Sequence, residues 1–241
     1  MTSGISAVGS VTSASSAASG ADLYRQREAG ASALDAMRQP ALPAYNLDNS
    51  RPGDVFFHIA SGKYIGHTNI ASTDKTFKID SVDPDGVRKV SMFSDSQPAI
   101  VFRFVDWHIA YNAAKLAEGW APKGEFRRGQ PKPKKEVGYS GGAIGLGVTA
   151  RVVGNLMGSS HFGTGAQGRL HKYAGRPDMK PKNVICSELC VLAYQLCLRE
   201  NDAAFPRLDA KHTTPSVLFR YMTQGPGAAF WTMVGRRNFR A

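Results

Sequence analysis

Between positions 54 and 105 the chain carries five short β-rich segments joined by connectors too short to let a strand run parallel to its predecessor. Residues 54–59 (DVFFHI) and 64–70 (YIGHTNI) are split by Ser61-Gly62-Lys63, the pattern of a hairpin. Residues 76–82 and 87–93 flank Asp83-Pro84-Asp85-Gly86, with Pro and Gly where turn chemistry favours them. Residues 98–105 (PAIVFRFV) supply a fifth strand. A parallel crossover needs a dozen or more residues, so the sheet is expected to be antiparallel.

Beyond residue 105 the pattern becomes helical. Residues 106–118 (DWHIAYNAAKLAE) predict a helix with Asp106 as cap and Gly119 as stop. Residues 183–200 (NVICSELCVLAYQLCLRE) are dense enough in apolar side chains to predict a largely buried central helix. Thr214-Pro215-Ser216 opens a further helix, with Thr214 as cap and Pro215 in its first turn. Phe230-Trp231-Thr232-Met233-Val234 reads as a final strand. The fold class expected is α+β: an antiparallel sheet packed against a central cysteine-bearing helix and further helices.

A hydrophobic fraction of 42 % over 241 residues excludes a wholly disordered chain and suits one large domain with an extension. The extension is expected at the start: all but four of residues 1–21 are Ser, Ala, Gly or Thr, too few apolar groups to offset the entropy of ordering. Residues 22–50 then predict a short amphipathic helix (22–37) and an extended connector, marked by Pro40, Pro43 and the Pro52 just beyond it. The main domain is expected to span 51–241, with a long basic, Gly-rich insertion at 119–182. No apolar stretch approaches the ~20 residues of a membrane-spanning helix. The Met1 end lacks a basic segment leading into an apolar one, so a Sec-type signal is not expected.

A formal net charge of +11 points to anionic partners. Lys123, Arg127, Arg128, Lys132, Lys134 and Lys135, beside Phe126, would suit an anionic membrane surface, although such a run also reads as a solvated segment that keeps a protein soluble. No specific nucleic-acid partner is indicated. Gly145-Leu146-Gly147 lacks a third glycine at the dinucleotide spacing, so no nucleotide site is inferred.

Cys186, Cys190 and Cys197 recur at i, i+4 and i+11 and so share one face of the central helix. Neighbours on one helix do not reach disulfide geometry, and with six scattered histidines neither a metal nor another cofactor is expected. If Asn183 caps the helix, Cys186 lies in its first turn, where unpaired N–H groups and the positive dipole end favour thiolate. Cys190 and Cys197 read as core residues. Taken alone, so does Cys186; its combination with His67 and Asp80 makes it a candidate nucleophile. A turn centred on Thr73 and Asp74 opposes residues whose numbers sum to 147, which sets His67 across from Asp80 on one face of the sheet. The carboxylate would hold one imidazole nitrogen and leave the other to take the thiol proton. A one-residue slip would turn Asp80 away, with Asp83 as the fallback. His58 is expected to pack or hydrogen-bond beside His67, His108 to lie on a helix away from its apolar face, and His161, His171 and His212 to lie in polar loops. Trp107, Trp120 and Trp231 read as core or groove wall.

Gly53-Asp54-Val55-Phe56-Phe57, Gly66-His67-Thr68-Asn69-Ile70, Ile79-Asp80, Val101-Phe102-Arg103, Ile185-Cys186-Ser187-Glu188-Leu189 and Thr214-Pro215-Ser216-Val217-Leu218, in that order, resemble the circularly permuted NlpC-type papain-like proteins, including their YiiX-like and lecithin:retinol acyltransferase-like branches. In permuted members the histidine strand precedes the cysteine helix, as His67 precedes Cys186. The resemblance covers about residues 51–234, interrupted by 119–182. It implies a permuted papain-like fold and a cysteine hydrolase, peptidase or amidase, with Cys186 as nucleophile, His67 as base and Asp80 as the third polar residue, where relatives often carry Glu. The reaction would pass through a covalent acyl-enzyme, with the Cys186 N–H among the oxyanion donors. The substrates implied are a peptide, a cell-wall peptide or an acyl compound; acyl transfer and modification of a host protein or lipid belong to the same resemblance. A non-catalytic module for an anionic surface is the alternative from another class. The Ser-rich start resembles the N-termini of bacterial effectors secreted through type III and related systems, the alternative being a cytoplasmic protein with a flexible tail.

Overall fold

Strand β1 (Val55–Ala60) is apolar on both faces because it runs through the middle of a sheet covered on both sides. The computed structural model describes residues 42–60, 64–94, 98–124, 134–139 and 161–237. The expected tail at 1–21, the helix at 22–37, most of the basic run and most of the Gly-rich stretch lie outside the described residues. With β2 (Tyr64–Ala71), β3 (Phe77–Val82), β4 (Gly86–Ser91), β5 (Ala99–Phe104) and β8 (Trp231–Arg237), β1 forms a six-stranded sheet in the order β4-β3-β2-β1-β5-β8. Every pairing is antiparallel. The molecule is an α+β protein, as its short connectors predict.

Val55, Phe57 and Ile59 join Ile70, Ile79, Ile100, Phe102 and Phe104 in the main core, where α1 (Trp107–Trp120), α3 (Cys186–Gln195) and α4 (Pro215–Thr223) pack on the sheet. Phe57, Phe102 and Phe219 meet edge to face at 5.3–5.5 Å between ring centres. Phe56, Ala71, Met92 and Val101 form a smaller cluster on the opposite face, covered by Tyr45. The domain therefore begins before Arg51: Ala44 bridges to Arg236, and the buried Tyr45 hydroxyl donates to Asp54 at 2.7 Å. The described part of what reads as a connector in sequence, residues 42–50, is a strap over the second face.

Helix α1 starts as predicted, the Asp106 carboxylate accepting from the backbone of His108 and Ile109. It runs through the expected stop at Gly119, because burying Trp120 completely favours one more turn over a glycine end. Trp231 is also core, whereas Trp107 is 55 % exposed, neither core nor the wall of a described groove. Ala110, Ala113, Ala114 and Ala117 line the buried face of α1, and their small size brings the helix close to the sheet. Gly53, at φ +85°, lies where a Cβ would come within 2.4 Å of the Ala110 carbonyl oxygen, so both backbone and space require glycine there.

The insertion contains a helix the sequence reading missed, α2 (Thr164–Ala174), and two residues, β6 (Gly138–Tyr139), that pair in parallel with β7 (Asn183–Val184). Asn183 is thus in a strand and is not the cap of α3. Ile185 is the N-cap residue, and the Glu188 carboxylate accepts from its N–H at 3.4 Å. All residues of α3 are buried. It ends at Gln195, whose side-chain amide donates to the carbonyls of Pro206 and Leu208, both at 2.7 Å. Cys197 therefore lies beyond the helix, half-buried, and does not continue the face of Cys186 and Cys190. Helix α4 is capped as predicted, Thr214 Oγ1 accepting from Val217 N at 3.3 Å.

Candidate active site

The β2–β3 loop sets the geometry of the site. Asp74 accepts from the Thr76 N–H and hydroxyl, the Phe77 N–H returns to the Asp74 carbonyl, and Ser72 and Phe77 close the hairpin. The paired residues Ile70 with Ile79 and Ala71 with Lys78 sum to 149, where a turn centred on Thr73 and Asp74 predicts 147. The longer loop moves the register by two residues, a whole pleat, so His67 and Asp80 are diagonal rather than directly opposed and keep a common face. His67 Nε2 and Asp80 Oδ1 are 2.5 Å apart. Aspartate thus reaches the ring despite being shorter than glutamate. Asp83, the fallback, is exposed in the β3–β4 turn.

On its other edge β2 is irregular at the same position. His58 pairs with His67 but Ile59 pairs with Ile65, which leaves Gly66 as the extra residue of a bulge. Bulges re-aim the adjacent side chain. The rings of His58 and His67 lie 5.7 Å apart, and His58 Nε2 accepts from Asn69 Nδ2 at 2.8 Å, both residues being buried. His58 therefore packs and hydrogen-bonds beside His67, as expected of it.

Cys186 is the first residue of α3, and its thiol lies near enough to the His67 ring to act on its charge. Since Nε2 is occupied by Asp80, Nδ1 is the ring nitrogen left for the sulfur. Burial, the largest influence, favours the neutral imidazole, but the charge and hydrogen bond of Asp80, with a smaller contribution from Cys186, outweigh it and lift His67 from 6.5 to about 10. Burial likewise works against the Asp80 carboxylate, yet His67, Lys78 and Arg88 hold it well below the usual carboxylate range. The ring beside the sulfur is thus an imidazolium at neutral pH, and its partner is an anion. Cys190 lies one turn deeper, its thiol 3.8 Å from Thr68 Oγ1 and pushed up by burial; Cys197 is pushed up to about 11 by burial alone.

The three residues singled out in sequence, Cys186, His67 and Asp80, are therefore brought together. Sequence reasoning missed Arg88, on β4 directly opposite Asp80, whose Nη2 lies 3.2 Å from Asp80 Oδ2. The turn Asp83-Pro84-Asp85-Gly86 carried the signal, because centring it on Pro84 pairs 80 with 88. Of the other histidines, His108 is exposed on α1 and His161 sits in an isolated bridge to Leu208. His171 and His212 are not in polar loops: His171 is on α2, 2.5 Å from Glu200, and His212 ends a 3-10 turn, 2.7 Å from Asp209. Their carboxylate partners account for both.

Among the described residues, no group of three or more His, Cys, Asp or Glu side chains is gathered that could hold a metal ion, and no helix is long and apolar enough to cross a membrane. No family model matches the chain, and comparison with curated proteins and with solved structures gives no match either.

Proposed function

We propose that the protein is a cysteine hydrolase of the permuted papain-like type, acting on amide or peptide bonds through Cys186, His67 and Asp80. One observation carries this reading: an imidazole held at Nε2 by a buried carboxylate lies beside a thiol at a helix start. An imidazolium beside the sulfur is the partner a thiolate nucleophile requires. The chain order, histidine strand before cysteine helix, supports the permuted type.

In the first step the Cys186 thiolate adds to the substrate carbonyl carbon. The oxyanion faces the start of α3, whose first N–H groups have no intrahelical acceptor. Collapse breaks the C–N bond, and the leaving amine takes the proton from His67 Nδ1, giving a thioester and neutral His67. Water then adds to the thioester while Nδ1 takes its proton. Expulsion of the sulfur releases the acid and restores the thiolate–imidazolium pair. Asp80 stays ionised throughout; it fixes the ring and stabilises its charged form.

Two experiments test this. Iodoacetamide at neutral pH should label Cys186 well ahead of Cys190 and Cys197, and His67→Ala should abolish that preference; equal labelling of all three thiols, read by peptide mass spectrometry, would refute the reactive pair. Wild type and Cys186→Ala should then be compared on peptidoglycan fragments, acyl lipids and a cell lysate. Hydrolysis predicts products gaining the mass of water only when the thiol is present.

A further inference from the structure

The structure assigns Arg88 as a positioning residue of the proposed site, clamping the Asp80 carboxylate so that its other oxygen meets His67. This inference rests on the hydrolase reading above and extends it one residue outward. Asp80 is divided between two partners: Oδ1 lies 2.5 Å from His67 Nε2 and Oδ2 lies 3.2 Å from Arg88 Nη2. Arg88 in turn donates through Nη1 to Asp85 Oδ2 at 3.0 Å. The guanidinium is a planar fork, so holding one arm at Asp85 fixes the direction of the other. Asp85 belongs to the β3–β4 turn and Asp80 faces Arg88 across the ladder, so the hairpin itself sets the distance between them. The line of hydrogen bonds runs Asp85, Arg88, Asp80, His67, with Cys186 beside the ring.

A carboxylate held only by an imidazole is free to rotate about its Cβ–Cγ bond and take the ring with it. A second donor on the far oxygen removes that freedom. Arg88 also shares the negative charge of Asp80, which moderates the pull on the His67 proton. Among the described residues, Asp80 feels Lys78 from its own strand; β1 presents His58 to His67, β4 presents Arg88 to Asp80, and α3 presents Cys186 to His67. Cys190 lies behind Cys186 on α3.

The test compares Arg88→Met, Arg88→Lys and Asp85→Asn with wild type in the full chain. The readouts are the His67 titration followed by NMR, the pH profile of Cys186 alkylation, and the melting temperature. Arg88→Met should move the His67 titration upward by about half a unit or more and slow Cys186 alkylation at neutral pH roughly three- to tenfold, the scale of one lost hydrogen bond. Arg88→Lys keeps the charge but not the fork, so its titration should stay near wild type while the rate remains reduced. A folded Arg88→Met protein with a wild-type titration and rate would overturn the inference, since a merely structural arginine changes the melting temperature alone. Where Arg88→Met fails to fold, Asp85→Asn takes its place: a smaller upward shift supports the clamp, and a wild-type profile refutes it. The His67 titration reports on Arg88 whether or not the sulfur reacts. Alkylation indifferent to His67→Ala would therefore sink the hydrolase reading, and a titration indifferent to Arg88 would sink only this one.

Discussion

Asp80 is 4 % exposed and remains ionised because the protein supplies the cations that water would otherwise screen. An uncompensated buried carboxylate would take up a proton instead. His67 owes its raised pKa to the same contact seen from the other end, with burial opposing it. Asp80→Asn keeps the shape and removes the charge, so burial is left opposed only by the smaller influence of Cys186. The His67 titration should then fall from about 10 to below its ordinary 6.5, and the preference of iodoacetamide for Cys186 at neutral pH should be lost. An NMR titration of Asp80→Asn with His67 still above 8 would contradict this. His67 and Cys186 were legible in the sequence because each is a rare reactive residue in a motif. Arg88 was not, because it stands among 30 Lys and Arg residues and only a cross-strand neighbour distinguishes it.

At the scale of elements, turns decided what local pattern left open. The β2–β3 hairpin forms where the alternating segments predict it, yet its register follows from Asp74 capping Thr76 inside the loop. The functional pair survived a two-residue shift only because the shift was even; an odd one would have put Asp80 on the other face. Helix α3 is shorter than its apolar run at both ends, since backbone pairing takes Asn183 into β7 and the Gln195 amide is drawn to the returning chain. Gly53→Ala should be costly for two independent reasons, a positive φ and a carbonyl in the space a Cβ needs. We expect a loss of more than about 2 kcal/mol, read from urea unfolding, against about 1 kcal/mol for removing the cap in Thr214→Ala. Comparable losses in the two variants would show that α1 can withdraw from the sheet.

For the whole molecule, the ion pair at the site couples folding to pH. His67 binds its proton more tightly folded than unfolded, so its contribution is complete below pH 6.5 and declines as the pH rises from 6.5 to about 10. Asp80 has the opposite sign: its contribution is present above the ordinary aspartate value of 3.8 and is lost only as the pH falls toward its depressed folded value. Stability from this pair should therefore be greatest between about pH 4 and 6.5. In His67→Gln the decline between pH 6.5 and 10 should flatten in denaturant unfolding series. An unchanged slope would place the ion pair outside the folding equilibrium.

The sequence by itself determined the class of fold. Short alternating segments with short connectors admit only an antiparallel sheet, a dense apolar run must be buried, and both signals are local. It also determined the chemistry on offer, because a cysteine near a helix start and a histidine on a strand can be recognised one at a time. Only the tertiary structure decided that these groups meet. The strap at Tyr45, the even register of β2 on β3, the bulge at Gly66 and the contact of Arg88 with Asp80 all arise between segments distant in sequence or from the exact length of a loop. A displacement of one residue in a connector alters no local propensity, yet it turns every side chain beyond it to the opposite face.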